Sequence, residues 1–170
     1  MTLWLTRIST TINALNEWLG RMVAWLALGM VVVTFAVVVM RYGFDFGRIA
    51  IQETVTYFHA IAFMLAIAYT FKEDAHVRVD IFYGRMSQRG QAWVNLLGSI
   101  LLLMPFCIYL LIASSGYALQ SWQLLEGSAE AGGLPLVFIL KTLIPAMAIL
   151  LLLQAIATVC NSLVTLRGGS

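Results

Sequence analysis

Four long uncharged stretches leave this 170-residue chain few ways to fold. Nineteen residues separate Arg21 from Arg41, eighteen separate Glu53 from Lys72, thirty-six separate Arg89 from Glu126, and twenty-five separate Lys141 from Arg167. A helix needs roughly 17–25 apolar residues to cross the ~30 Å hydrocarbon layer. Inside lipid every backbone N–H and C=O must find its partner within the protein, which makes such stretches helices. Hydrophobic residues at 61%, charged residues at 11% and a mean hydropathy of +0.90 do not fit a soluble domain of this length. The expected fold is an all-α membrane protein of four transmembrane helices, read as one domain over 1–170. Its spans are expected at about 21–41, 53–71, 91–120 and 135–166.

Local patterning fills in the connections. Trp4, Leu5, Ile8, Ile12, Leu15, Trp18 and Leu19 recur at three- and four-residue steps. That spacing predicts an amphipathic helix over 1–20 lying at headgroup level. Glu53 is expected in the first turn of the second span, where the helix dipole favours a carboxylate. After that span, Asp80 is expected to cap a short in-plane helix carrying Ile81, Phe82, Arg85 and Met86 along the membrane surface. The third stretch would make a helix of roughly 54 Å against ~30 Å of hydrocarbon. A bend at Pro105 and a projecting polar end around Ser114–Gln123 are therefore expected. Pro135 is expected in the first turn of the fourth span, Lys141 one turn inside it, and Pro145 at a kink. The C-terminal Gly168-Gly169-Ser170 carries no weight.

Lysine and arginine set the orientation. Arg7, Arg21, Lys72, Arg78, Arg85, Arg89 and Arg167 fall on one side, and Arg41, Arg48 and Lys141 on the other. Seven against three predicts both termini in the cytoplasm. A net charge of +2 gives no reason to expect nucleic acid as a partner.

Chemistry is hard to place in this chain. Buried ionisable groups in a membrane are costly and mark ion or substrate paths, yet the deep polar residues are only Thr34, Ser99 and Gln154. His59 and His76 fall on opposite sides of the bilayer and do not share a haem. Cys107 and Cys160 lack metal-type spacing and read as packing residues. No catalytic, cofactor-binding or metal site is expected, and the chain reads as a non-enzymatic accessory subunit. A cofactor-bearing anchor of a respiratory enzyme and a self-sufficient homo-oligomeric small exporter are the alternatives.

Ordered short motifs add a resemblance. Arg41-Tyr42 closes the first span, Gln52-Glu53 opens the second, and His76-Val77-Arg78-Val79-Asp80 follows it. Glu126-x-Ser128, Gly132-Gly133-Leu134-Pro135, Lys141-x-Leu143-Ile144-Pro145 and Gln154 come later. From about Arg21 to Leu166 this resembles the small membrane subunit (DctQ type) of tripartite ATP-independent periplasmic (TRAP) transporters. The Gly-Gly-Leu-Pro and Lys-x-Leu-Ile-Pro pair resembles the branch labelled mannitol/chloroaromatic. The resemblance implies a bacterial inner-membrane scaffold subunit in a one-to-one heterodimer with a large elevator-type subunit. It also implies a periplasmic substrate-binding protein as partner, and sodium-coupled uptake of an organic acid. On that reading Arg41, Asp45, Arg48, Glu126 and Glu130 are expected to dock the binding protein. Glu53, His76, Arg78, Asp80, Lys141, Trp18, Trp93 and Trp122 are expected at fold, subunit or membrane-lipid contacts.

Overall fold

The computed structural model describes residues 2–75 and 80–168, with Thr2, Asp80 and Ile81 as backbone. His76 and Arg78 lie outside the described residues. The helices are α1 (Thr2–Gly43), α2 (Ile49–Lys72), the four-residue α3 (Asp80–Tyr83), α4 (Gln88–Gly98), a π-helical segment (Ser99–Leu103), α5 (Met104–Leu124) and α6 (Val137–Gly168). Four helices are long and apolar enough to cross a membrane: Leu3–Gly43, Ile49–Lys72, Gln88–Leu124 and Val137–Gly168. No strand occurs among the described residues. The connections 44–48 and 125–136 lie at one end of the bundle, here the loop end. Thr2, Gly168 and the described connecting residues 73–75 and 84–87 lie at the other, the terminal end.

Helix α6 is the hub. It packs on α1, α2, α4, the π segment and α5, while α1 and α2 form a close pair beside it. Close approach is made by small residues. Ala68, Cys107, Ala148, Ala155 and Ala157 are fully buried, the pattern by which helices pack in lipid without a hydrophobic driving force. At Gly20 a β-carbon would run into the Tyr69 ring, so α1 and α2 touch there through a glycine. Large apolar side chains point outward instead, including Trp25, Val31 and Phe35 on α1 and Tyr109 and Ile112 on α5.

The expected boundaries shift in several places. The 1–20 segment is no separate element; it is the N-terminal half of α1, which runs unbroken to Gly43. At ~1.5 Å per residue that helix is roughly twice the hydrocarbon thickness. Helix α2 begins at Ile49, which puts Glu53 beyond its first turn. Asp80 is the first residue of α3 rather than its cap. Arg85 and Met86 follow in a turn bonded to Phe82 and Tyr83. Pro135 precedes α6, which starts at Val137 and continues through Pro145.

The irregularity expected near Pro105 is the π segment just before it, where the Met104 N–H donates to the Ser99 carbonyl. Proline has no N–H for the Leu101 carbonyl and its ring crowds that oxygen, so a wider turn relieves both. Helix α4 is capped by Ser87, whose hydroxyl accepts from the Gly90 N–H at 3.3 Å. Helix α5 stops at Leu125, a left-handed residue (φ 44°) whose N–H donates to the Ser121 and Trp122 carbonyls.

Candidate functional site

Charged side chains gather in two belts, one at each end of the bundle. No lysine, arginine or carboxylate occurs in 22–40, 54–71, 90–125 or 142–166, which form the spans between them.

At the loop end the 125–136 connection is clasped from two helices. Glu53 of α2 accepts the Ser128 hydroxyl on one carboxylate oxygen and the Leu134 N–H, at 2.6 Å, on the other. The connection also folds on itself. Ser128 N–H donates to the Leu134 carbonyl and Gly133 N–H to the Glu130 carbonyl, both at 3.0 Å. Gly132 holds the left-handed conformation (φ 79°) that lets the chain reverse. A β-carbon at Gly133 would run into Ser128 and lie 2.8 Å from the Glu53 carboxylate. Glu53 therefore ties the connection down, and the helix-dipole explanation for it does not hold.

From α6, Lys141 donates to Glu126 at 2.5 Å and sits 4.0 Å over the Tyr117 ring. The ammonium holds the Glu126 carboxyl below the usual carboxylate range. One step along, the Trp122 indole N–H donates to the Thr142 hydroxyl at 2.7 Å and its ring packs on Phe138. Arg41, Asp45, Arg48 and Glu130 are exposed at this end, with Arg48 over the Phe46 ring at 5.4 Å. Asp45 takes a positive φ of 52° in the α1–α2 turn.

At the terminal end, Lys72 closes α2 and lies 2.8 Å from Glu17 and 3.0 Å from Glu73. Arg21 pairs with Glu17 one helical turn along α1. Next to Glu17 on its N-terminal side along α1, Asn16 donates to Gln154 of α6 at 2.7 Å, and Gln154 donates to Asn13 at 3.0 Å. Asn16 is 1% and Gln154 3% exposed, so this amide pair is part of the core. Trp18 and Trp93 stand exposed at the same end.

Each belt holds ion pairs of its own, Arg21–Glu17–Lys72–Glu73 at the terminal end and Lys141–Glu126 at the loop end. The three carboxylates Glu17, Glu53 and Glu126 are each engaged by donors from another element, which suits anchoring rather than proton transfer. Cys107 and Cys160 are free and buried. Among the described residues no three His, Cys, Asp or Glu side chains gather at one place. His59, exposed in α2, stacks on Phe63.

The Asn13–Gln154–Asn16 link and the Glu17–Lys72 pair were not anticipated from sequence. Their only sequence signal is a lone amide in one apolar span and polar residues on the long helix it meets.

The family model described as "Tripartite ATP-independent periplasmic transporters, DctQ component" matches residues 30–165. The chain belongs to the DctQ family. A protein of Haemophilus influenzae described as a TRAP transporter small permease is similar to it, 30% identical over 106 residues. The match covers 62% of this chain and 63% of that relative, so the chain spans less than two thirds of the relative's length. No solved structure matches. In this DctQ-family chain the matched region holds the whole loop-end clasp and Gln154. Asn13, Asn16 and Glu17 precede it.

Proposed function

We propose that the chain is the small, non-catalytic scaffold subunit of a TRAP-type transporter in a bacterial inner membrane, with both termini cytoplasmic. The observation that carries this is the division of the molecule: ionised groups confined to two end belts, and apolar helix faces left uncovered between them. A subunit so built has no polar path of its own across the bilayer, but it offers a wide apolar flank to a larger membrane protein. That protein is the large elevator-type subunit, held one-to-one, which moves an organic acid with sodium. The small subunit enlarges the static base against which the mobile part travels.

The loop end then faces the periplasm and helps dock the substrate-binding protein through Arg41, Asp45, Arg48 and Glu130. Glu126, engaged by Lys141, sets the shape of the docking loop. Glu53 and Lys141 act through the fold of that loop. Trp18, Trp93 and Trp122, exposed near the two ends, take lipid or subunit contacts, and His76, Arg78 and Asp80 take such contacts at the cytoplasmic face.

Two measurements on one preparation test this. The tagged chain, extracted from native membranes in mild detergent, should co-purify a multi-span membrane protein in equal amount; a lone chain or homo-oligomer sinks the scaffold reading. Reversing Arg41, Asp45 and Arg48 together should lower uptake at limiting binding protein by roughly tenfold, with the membrane complex still assembled. Unchanged uptake removes the docking role alone.

A further inference from the structure

A two-part cleft lies between α2 and the α4–α5 helix. Both flanking helices pack on α6 rather than on each other, which leaves Thr158 of α6 in the floor. The part nearer the terminal end is a chamber of about 430 Å³ lined by carboxamides, among them Asn13, Gln91, Asn95, Gln154 and Asn161. It adjoins a second cavity of about 650 Å³ walled by Val94, Leu102, Leu103 and Phe106. Phe71, Tyr83, Asn95 and Thr158 line both, so the two are continuous.

The parts differ in depth as well as polarity. The α4–α5 helix runs from the terminal end toward the loop end. At ~1.5 Å per residue, Leu102 and Phe106 sit roughly 10–16 Å deeper than Asn95. The chamber shares its level with Lys72 on its wall and with the exposed Trp93 two residues before Asn95, the composition of a membrane–water interface. A polar chamber at headgroup height thus opens into an apolar groove that descends among the spans.

We infer that this cleft binds one glycerophospholipid with a zwitterionic, primary-amine headgroup. The headgroup occupies the carboxamide chamber and an acyl chain lies in the groove. Gln154 is taken up by Asn13 and Asn16, and the Gln91 amide N–H groups by the Tyr83 and Met86 carbonyls. The Asn161 carboxamide, the Asn13 N–H groups and the Gln91 and Asn95 side-chain carbonyls remain to offer donors to a phosphate and acceptors to an ammonium. Lys72, the basic residue on that wall among the described residues, is already held by Glu17 and Glu73. An anionic headgroup would bring net negative charge beside those carboxylates. A primary ammonium also donates hydrogen bonds that a quaternary one does not. The inference rests on the four-span fold and not on the transporter role.

The test uses the full chain, with any partner it retains, extracted from bacterial membranes in mild detergent and then delipidated. Dioleoylphosphatidylethanolamine returned in micelles should raise its thermal midpoint saturably and appear at one per chain in native mass spectra; dioleoylphosphatidylglycerol should do neither. Equal shifts with the two lipids, or none with either, overturn the proposal.

Gly98 lines the groove, and a β-carbon there meets nothing within 4 Å. Gly98→Phe should therefore fill the groove and cut bound lipid by about tenfold. Leu101→Phe, at an exposed position off the cleft wall, should not. Undiminished lipid in a folded Gly98→Phe protein overturns the site. So does a photo-crosslinker at Asn95 that captures a polypeptide in place of lipid. Should Gly98→Phe fail to fold, the lipid add-back on the native chain decides alone.

Discussion

Gly133 has no room for a β-carbon, because Ser128 and the Glu53 carboxylate already occupy the place where one would go. Gly133→Ala forces the clasp apart and should destabilise the protein by about 1–3 kcal/mol, the usual cost of overpacking. Gly116 is the control. It lies inside α5, and a methyl added there would meet nothing within 4 Å, so Gly116→Ala should stabilise the isolated chain by roughly 0.5–1 kcal/mol through helix propensity. Thermal midpoints of the two variants moving in the same direction would refute the steric account. The Gly-Gly-Leu-Pro run and Glu53 were both conspicuous in the sequence, but their relation was not. Glu53 and Leu134 are 81 residues apart, and a reading confined to neighbours along the chain assigns Glu53 to the helix dipole because that is the nearest partner it can see.

Helix α1 is tied to α6 by the amides of Asn13, Asn16 and Gln154, and that tie predicts a non-additive pair. Gln154→Leu leaves the buried Asn16 amide without a partner and should cost about 1–3 kcal/mol. Adding Asn16→Leu should recover part of the loss, since two apolar partners leave nothing buried and unsatisfied. Purely additive midpoints would show that the amides do not act as a pair. At the loop end the α5–α6 connection is pinned by Glu126 and Lys141. Glu126 has a lowered carboxyl pKa because the Lys141 ammonium favours its charged form. The pair therefore stabilises the fold above the ordinary carboxylate pKa, and that stabilisation is lost as pH falls through the lowered value. Amide protection of residues 125–134 should drop on acidification through this window, and Glu126→Gln should flatten the dependence. A wild-type profile unaltered by that change would assign the titration elsewhere. Number and type of the spans were legible, because hydropathy along a helix is a local property. The ends were less so. The start of α4 depends on a single serine cap, the end of α5 on one left-handed leucine, and the length of α1 on contacts with α6 that only the folded chain supplies.

Across the whole molecule the ionised groups are confined to the two ends, so the protein has a polarity that the membrane must read. The terminal end carries Arg7, Arg21, Lys72, Arg85, Arg89 and Arg167, whereas the loop end carries Arg41, Arg48 and Lys141, the last neutralised by Glu126. Basic residues near span ends resist translocation, which predicts the terminal end in the cytoplasm and, on the proposed function, the loops that meet the binding protein outside. Native Cys107 and Cys160 are buried, so single exposed cysteines can report the arrangement against a low background. Gly47 stands in the open α1–α2 turn and Met86 is exposed in the 73–87 connection. A membrane-impermeant maleimide should label Gly47→Cys in intact spheroplasts, and Met86→Cys only after the membrane is opened. The opposite pattern would turn the molecule over, set Arg41, Asp45 and Arg48 in the cytoplasm, and leave the binding protein no access to them. Because the inverted bundle would still offer the same apolar flanks to a larger subunit, this experiment separates the docking role from the scaffold role, which co-purification alone does not.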